Sequence, residues 1–244
     1  MTMPRYEIAG LIVDMEPKND LLIQRAEPYL IKSKIDSPAD CVIPRHRDAI
    51  TAYKHKHPEL TSEECEYLLY GAYFHNVLYD YDGFALHAAA VVYHGRAYVF
   101  SAHSGVGKST HASLWMNRYP GAFILNDDKP AIRMVQDGFM VFGTPFSGKF
   151  AINVNEAYPL QGICFLEQRE MNHIEELSET QAIVQLLEHI QKPNNPQRAM
   201  SLMDTFQQLI ERVSIYHMRC SKHISAAELS YDTMRPADAL SSKD

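Results

Sequence analysis

The chain is constrained most by one segment, residues 98–118, which reads as strand, glycine-rich loop and helix in immediate succession. Tyr98, Val99, Phe100 and Ser101 are short, apolar and β-prone, and residues 110–118 carry a helical pattern that Pro120 and Gly121 would close. Between them lies Ser101-Ala102-His103-Ser104-Gly105-Val106-Gly107-Lys108-Ser109-Thr110. In a phosphate-binding loop, successive backbone N–H groups point at a phosphate, a lysine neutralises it, and the next hydroxyl reaches a metal ion. Those roles fall to Ser104, Gly105, Val106, Gly107, Lys108, Ser109 and Thr110 for the cradle, to Lys108 for the charge and to Ser109 for Mg2+. Ala102 stands where the strict pattern opens with glycine, while Gly105, Gly107, Lys108 and Ser109 keep register. A ligand-free glycine turn could contain the same residues, but the order strand, loop, helix is the one that phosphate binding requires. The segment predicts a site for a nucleoside triphosphate such as ATP.

Two adjacent carboxylates, Asp127 and Asp128, follow an apolar run at residues 122–125 that reads as a strand. Phosphoryl transfer is mostly positioning and charge stabilisation, so a site needs a cradle, a divalent cation and a group that orients or deprotonates the acceptor. If this strand neighbours the loop strand, both carboxylates arrive at the sheet edge that holds the phosphates. One then binds Mg2+ with Ser109 and the other accepts the hydroxyl proton; Asp127 is assigned as base and Asp128 to the metal, with the order open. A turn or helix-cap pair is the ordinary alternative for Asp after a strand. His87 lies among small apolar residues on the strand leading to the loop, which suits either a hydrogen-bonded core histidine or an imidazole near the γ-phosphate. Asp127, His87 and Lys108 form the candidate catalytic set. Gly143-Thr144-Pro145-Phe146-Ser147-Gly148-Lys149 offers hydroxyls, N–H groups and a cation suited to a second anion, and equally composes an ordinary turn with an exposed lysine. His103 is expected to project outward, His111 to lie on the helix surface, and Trp115 and the methionines to be core.

The rest of the chain supplies a frame for this site. With 244 residues and 46% hydrophobic content it can bury one large core with a smaller extension. Residues 5–15 read as a strand, 20–30 as a short helix, 45–57 as a polar helix, and Thr61-Ser62-Glu63-Glu64 as a capping box opening a helix to Leu78. Residues 85–93 and 96–100 form a hairpin around His94-Gly95, so the loop strand is reached by an antiparallel connection and the sheet must be mixed. A second hairpin is expected at residues 130–142 around Gln136-Asp137, a strand at 161–166, helices at 180–191 and 198–213, a strand at 215–220 and a helix at 225–234.

Charge and cysteine usage narrow the partners. The net charge of −7 provides no broad basic field for nucleic acid or an anionic membrane. The local cluster Arg45, His46, Arg47, Lys54, His55, Lys56 and His57, at helical spacing, reads as a solvated helix face rather than a nucleic-acid site. Cys41, Cys65, Cys164 and Cys220 are widely spaced, without a C-x-x-C pair, as in a reduced cytoplasmic protein. The N-terminus has no apolar leader and no run approaches the roughly 20 apolar residues of a membrane span, so a soluble protein is expected.

Taken together, Leu86-His87, the strand pair, Ser104 to Ser109, and Asn126-Asp127-Asp128 resemble the catalytic domain of HPr serine kinase/phosphorylase, over roughly residues 83–168. The resemblance implies a mixed-sheet phosphate-loop fold of the phosphoenolpyruvate carboxykinase type. It also implies ATP on the loop, a base and a metal contact from Asp127 and Asp128, a role for His87 beside them, and a homo-oligomer. The chain departs from that family in three places. The family's Glu-containing signature ends in Ile-Asn-Val, whereas Ala151-Ile152-Asn153-Val154 here has Pro145 near the position of the Glu. Residues 143–149 are similar to the loop of shorter HPr-kinase-like proteins, and the first 80 residues do not resemble the family's usual regulatory domain.

The expectation is an α/β (α+β) protein with an N-terminal extension of strand and helices at residues 1–82 and a P-loop kinase-like core at 83–244. Its expected activity is Mg-ATP-dependent transfer of the γ-phosphoryl group to a serine-type hydroxyl of a protein, peptide or small molecule. A carboxykinase-like reaction on an organic acid would need a further metal and arginines, for which the core has Arg96, Arg118 and Arg133. A nucleotide sensor or ATPase without a phosphoacceptor would have no need of a proton-accepting carboxylate.

Overall fold

The computed structural model describes residues 3–33, 36–44 and 47–236. The chain begins with a hairpin, β1 (Arg5–Ile8) and β2 (Leu11–Asp14), in place of the single strand expected over residues 5–15. Ala9 and Gly10 both have positive φ, 53° and 71°, so a two-residue turn reverses the chain where the apolar pattern continues unbroken. Helix α1 (Asp20–Ala26) stops short of the expected residue 30, because Pro28 removes an N–H and the chain tightens into a 3₁₀ turn over Glu27–Tyr29. Strand β3 (Cys41–Val42) joins β2 in parallel. Helix α2 (Arg47–Lys56) buries none of its residues, in keeping with a solvated basic face; Arg45 and His46 lie outside the described residues. Helix α3 (Ser62–Leu78) opens with the expected capping box: the Thr61 hydroxyl accepts from the Glu64 N–H at 3.1 Å, and Glu64 accepts from the Thr61 N–H at 2.7 Å.

The expected strand at residues 85–93 is two strands. β4 (Gly83–Ala85) pairs with β8 (Ala131–Val135), whereas β5 (Ala88–Tyr93) pairs with β6 (Arg96–Ser101) and β7 (Phe123–Asn126). The chain changes partners at Leu86 and His87. The β5–β6 turn is the expected one, with φ of 49° at His94 and 70° at Gly95. Strand β5 also inserts between β6 and β7, so the carboxylate strand does not neighbour the loop strand. Pairing order is set by long-range packing, which local pattern does not encode. Strand β8 forms a hairpin with β9 (Gly138–Phe142), and β10 (Ala157–Gln168) runs well past the expected residues 161–166. β10 pairs antiparallel with β9 through its first residues, then parallel with β6 and with β12 (Ile215–Cys220). A short edge strand, β11 (His173–Glu176), lies against β12 and has no counterpart in the sequence reading. The result is the expected mixed sheet, with strand order β4-β8-β9-β10-β6-β5-β7 and β12 and β11 branching from β10.

Helices cover both faces of this sheet. Alternation along β5 sends Ala89 and Val91 toward α4 (Lys108–Arg118) and α7 (Ser225–Met234), and Ala88, Ala90 and Val92 toward α5 (Glu179–Glu188) and α6 (Pro196–Ile210). Small side chains on a strand buried on both faces let the helices approach closely. A third cluster joins Tyr70, Phe74 and Val77 of α3 to Ile8, Leu11 and Val13, and continues into Ala85, Ala131 and Phe146. Through Phe146, the N-terminal elements pack on the loop at residues 143–149. Among the described residues, no helix is long and apolar enough to cross a membrane, and the four cysteines are buried and free.

Candidate active site

The strand directions bring the chemistry together. β6 and β7 are each antiparallel to β5, so they run in the same direction and their C-terminal ends share one sheet edge with the N-terminal end of β5. That edge carries the glycine-rich loop after β6, Asp127 and Asp128 after β7, and His87 before β5. With one strand between them, β6 and β7 lie roughly 10 Å apart, leaving a gap at the edge that a phosphate chain could occupy. A cavity of about 520 Å3 opens there, lined by His87, Ser104, Gly105, Gly107, Lys108, Ser109, Thr110, Asp127, Asp128, Gly148, Lys149 and Phe150.

Gly105 and Gly107 have φ of 83° and 124°, backbone states closed to most other residues. Gly107 is the N-cap of α4 and makes no side-chain cap bond, so the first helical N–H groups keep their capacity to bind an anion at the positive end of the helix. Lys108 is 9% exposed, and its Nζ donates to the Ala102 carbonyl at 2.8 Å. Burial lowers its pKa, a shift that Asp128 opposes. Val106 is the exception among the loop residues: it packs against the α4–α7 cluster rather than lining the cavity. Its contribution to a cradle is limited to its backbone.

Asn126 builds the turn that displays the acidic pair. Its buried side chain accepts from the N–H groups of Asp128 at 3.0 Å and Lys129 at 2.8 Å, and donates to the Thr144 carbonyl at 3.0 Å. Asp127 is 7% exposed and accepts from the Gly148 N–H at 2.6 Å and the Phe150 N–H at 3.2 Å. Burial raises its pKa, with the neighbouring Asp128 acting in the same direction and the two N–H donors opposing. Asp128 is held differently: its Oδ1 lies 3.0 Å from His87 Nε2 and its Oδ2 3.0 Å from Lys129 Nζ. Burial alone would raise its pKa, but His87 and Lys129 outweigh that and hold it near 2. The two carboxylates therefore differ in character, one with raised proton affinity and one fixed as an anion.

His87 is a cavity-wall residue rather than a core histidine. Its side chain is partly exposed, its N–H donates to the His189 carbonyl at 2.9 Å, and its own carbonyl accepts from the Ser101 hydroxyl at 2.9 Å. The loop at residues 143–149 closes over the acids. A Cβ on Gly148 would meet Asp127 Oδ2 at 3.1 Å and Asp128 Cβ at 3.2 Å, so glycine permits this approach. Lys149 and Phe150 complete the wall, with the ammonium 4.9 Å from the Phe150 ring centroid. Lys129 and Phe150 have no part in the sequence reading; the signal for Lys129 is its adjacency to the acidic pair.

Two expectations are corrected here. His111 is 2% exposed beneath α7, with Nε2 3.0 Å from the Ser230 hydroxyl, because α7 covers the helix face that the sequence left open. The methionines are not uniformly core: Met171, Met200, Met203 and Met116 are exposed, Met171 at 81%, whereas Trp115 is buried as expected. His103 is exposed and stacks on His189 with centroids 4.7 Å apart. Arg96, Arg118 and Arg133 are engaged elsewhere, with Gln161, Glu228 and the carbonyls of Tyr81 and Ala9, and none lines the cavity.

No curated protein matches the chain. Among solved structures it is similar to the HPr(Ser) kinase/phosphatase from Coxiella burnetii, at 11% identity and a TM-score of 0.36, over 64% of this chain and 96% of that one. A family model described as SynChlorMet cassette protein ScmC matches residues 62–231, from the start of α3 into α7. The match takes in the phosphate-type loop, the acidic pair, His87 and the loop that closes over them, and by it this chain belongs to the ScmC family.

Proposed function

We propose that this chain is a Mg-ATP-dependent phosphotransferase that moves the γ-phosphoryl group of ATP to a serine-type hydroxyl of a protein, peptide or small molecule. The observation that carries the reading is the single cavity in which the glycine-rich loop, Lys108, the acidic pair and His87 converge. Residues 104–110 hold the phosphates through N–H groups, and the Lys108 ammonium sets its charge against them. The donor set suits a magnesium ion, which prefers oxygen ligands and takes few of them from protein: Asp128, kept anionic, and the Ser109 hydroxyl would hold it. When bound, the ion neutralises charge developing on the β- and γ-phosphate oxygens.

The acceptor oxygen attacks the γ-phosphorus, the bond to the β-phosphate oxygen breaks, and ADP leaves while the hydroxyl proton passes to Asp127. Asp127 suits this role because burial raises its proton affinity, and a base with a raised pKa takes a proton more readily near neutral pH. His87 and Lys129 orient Asp128 and keep it ionised. Among the described residues no arginine lines the cavity, which disfavours a carboxykinase-like reaction, since that needs cations to hold a carboxylate.

The test follows γ-phosphate-labelled ATP with Mg2+ and purified protein in a lysate of the source cell. Label on one discrete peptide, protein or metabolite, lost with Lys108→Ala, supports the kinase. With Asp127→Asn, transfer is expected to fall about 100-fold or more while nucleotide binding persists. Label released only as free phosphate would instead mark an ATPase or a nucleotide sensor.

A further inference from the structure

The second loop of the cavity is held from outside the catalytic core. Arg25, in the last turn of α1, donates from Nη1 to the Ser147 carbonyl at 2.6 Å and from Nη2 to the Gly148 carbonyl at 3.0 Å. Tyr67 of α3 donates its hydroxyl to the same Ser147 carbonyl at 2.5 Å, and its ring lies 4.8 Å from the guanidinium carbon. Asn153 returns the contact by donating to the Arg25 carbonyl at 3.2 Å. Arginine is suited to this position because its planar fork meets two successive carbonyls at once, which a lysine ammonium cannot do with the same fixed geometry. The peptide it grips is the one whose other end donates the Gly148 N–H to Asp127 at 2.6 Å.

Helix α1 is itself anchored. Glu66 of α3 is 1% exposed and accepts from the Lys18 N–H at 2.9 Å, the Asn19 N–H at 2.8 Å and the Asn19 amide at 3.0 Å. A buried carboxylate thus fixes the start of α1 on α3, and Arg25 projects from its other end onto the loop. The contacts form a continuous path from Glu66 through α1 and Arg25 to Gly148 and Asp127.

We infer that Arg25 is a positioning residue for the reaction: by clamping the Ser147–Gly148 carbonyls, it holds the Gly148 and Phe150 N–H groups on Asp127 and so orients the proton-accepting carboxylate. The inference rests on the phosphotransferase reading for its catalytic consequence, but the clamp itself can be measured without it. The N-terminal elements are by this account part of the active site, although Arg25 precedes the residues matched by the family model.

The experiment compares the full-length chain with Arg25→Ala, Arg25→Lys and Tyr67→Phe in three measurements. These are amide hydrogen exchange at Gly148 and Phe150, the Kd for a fluorescent ATP analogue with Mg2+, and release of γ-phosphate from ATP with water as acceptor. Arg25→Ala is expected to speed exchange at both amides at least tenfold and to lower turnover about tenfold, with nucleotide Kd within about twofold. Arg25→Lys and Tyr67→Phe are expected to fall between Arg25→Ala and the parent in both exchange and turnover. Unchanged exchange in Arg25→Ala overturns the clamp. A Kd that weakens in step with turnover, or turnover that holds while exchange speeds up, overturns the positioning role. Failure of the parent chain to bind Mg-ATP would sink the phosphotransferase reading alone, because the exchange comparison would still stand.

Discussion

His111 gives the chain an acid sensitivity that can be worked from its surroundings. Ser230 has one hydroxyl proton, donated to the Ala227 carbonyl at 3.0 Å, so its oxygen must accept both from Trp115 Nε1 at 2.9 Å and from His111 Nε2 at 3.0 Å. That network assigns the imidazole proton to Nε2 and leaves Nδ1 buried without a partner. A second proton would have to sit on Nδ1, where nothing accepts it, and burial pushes the pKa down to about 4 from 6.5. Above about pH 6.5, neither the folded nor the unfolded chain protonates this group and it costs nothing. Between there and pH 4, the unfolded chain takes up a proton that the folded chain refuses, so stability falls as pH falls. At pH 5, the difference is about 1.5 pH units below the unfolded pKa, or about 2 kcal/mol. Phe is close to His in shape and should pack against Phe100, whose ring centroid is 4.5 Å away, while carrying no titratable group. Urea unfolding of the parent and of His111→Phe, each at about pH 7.5 and about pH 5.0, should show the parent losing about 2 kcal/mol more over that interval. His75, which burial holds down at about pH 3, contributes equally to both proteins and cancels. Equal losses in the two proteins would mean that the folded chain accommodates the imidazolium and that His111 contributes nothing to the acid sensitivity.

Two other substitutions separate site from scaffold. Gly148→Ala places a methyl group against Asp127 and Asp128 at a residue with no positive φ, so phosphoryl transfer should fall about tenfold with a stability change under about 1 kcal/mol; a parent-like rate in a transfer assay would show that the acids can shift freely. Thr61→Ala removes the side-chain half of the capping box on α3 and should cost about 1 kcal/mol in urea unfolding, with no change in nucleotide affinity.

The features legible in the sequence were those whose physics is local. The glycine-containing loop between β6 and α4, the His94-Gly95 turn and the Thr61–Glu64 box each depend on residues a few positions apart, and each is found where it was expected. Neither the insertion of β5 between β6 and β7 nor the change of partners at His87 could be read, because sheet order is decided by which faces are covered after collapse. The turn at Ala9-Gly10 was missed because a lone glycine in an apolar run does not by itself mark a reversal. His111 looked exposed because the helix that covers it lies more than 110 residues further along the chain, and Arg25 drew no attention because its carbonyl partners leave no mark in composition.

The twelve-residue strand β10 has a consequence for how the molecule must be made. It is the splice between the antiparallel and parallel parts of the sheet, flanked on one side by the loop strand β6 and on the other by β9 and then β12. During synthesis, residues 163–168 emerge well before residues 215–220, which pair with them in parallel. In that interval, an apolar edge containing Ile163, Phe165 and Leu166 has N–H and C=O groups open to any passing strand. Parallel pairing across so long a separation is slow, so this edge is the place where aggregation competes with folding. The glycine-rich loop, although complete early in the chain, gains its finished sheet only when β12 arrives.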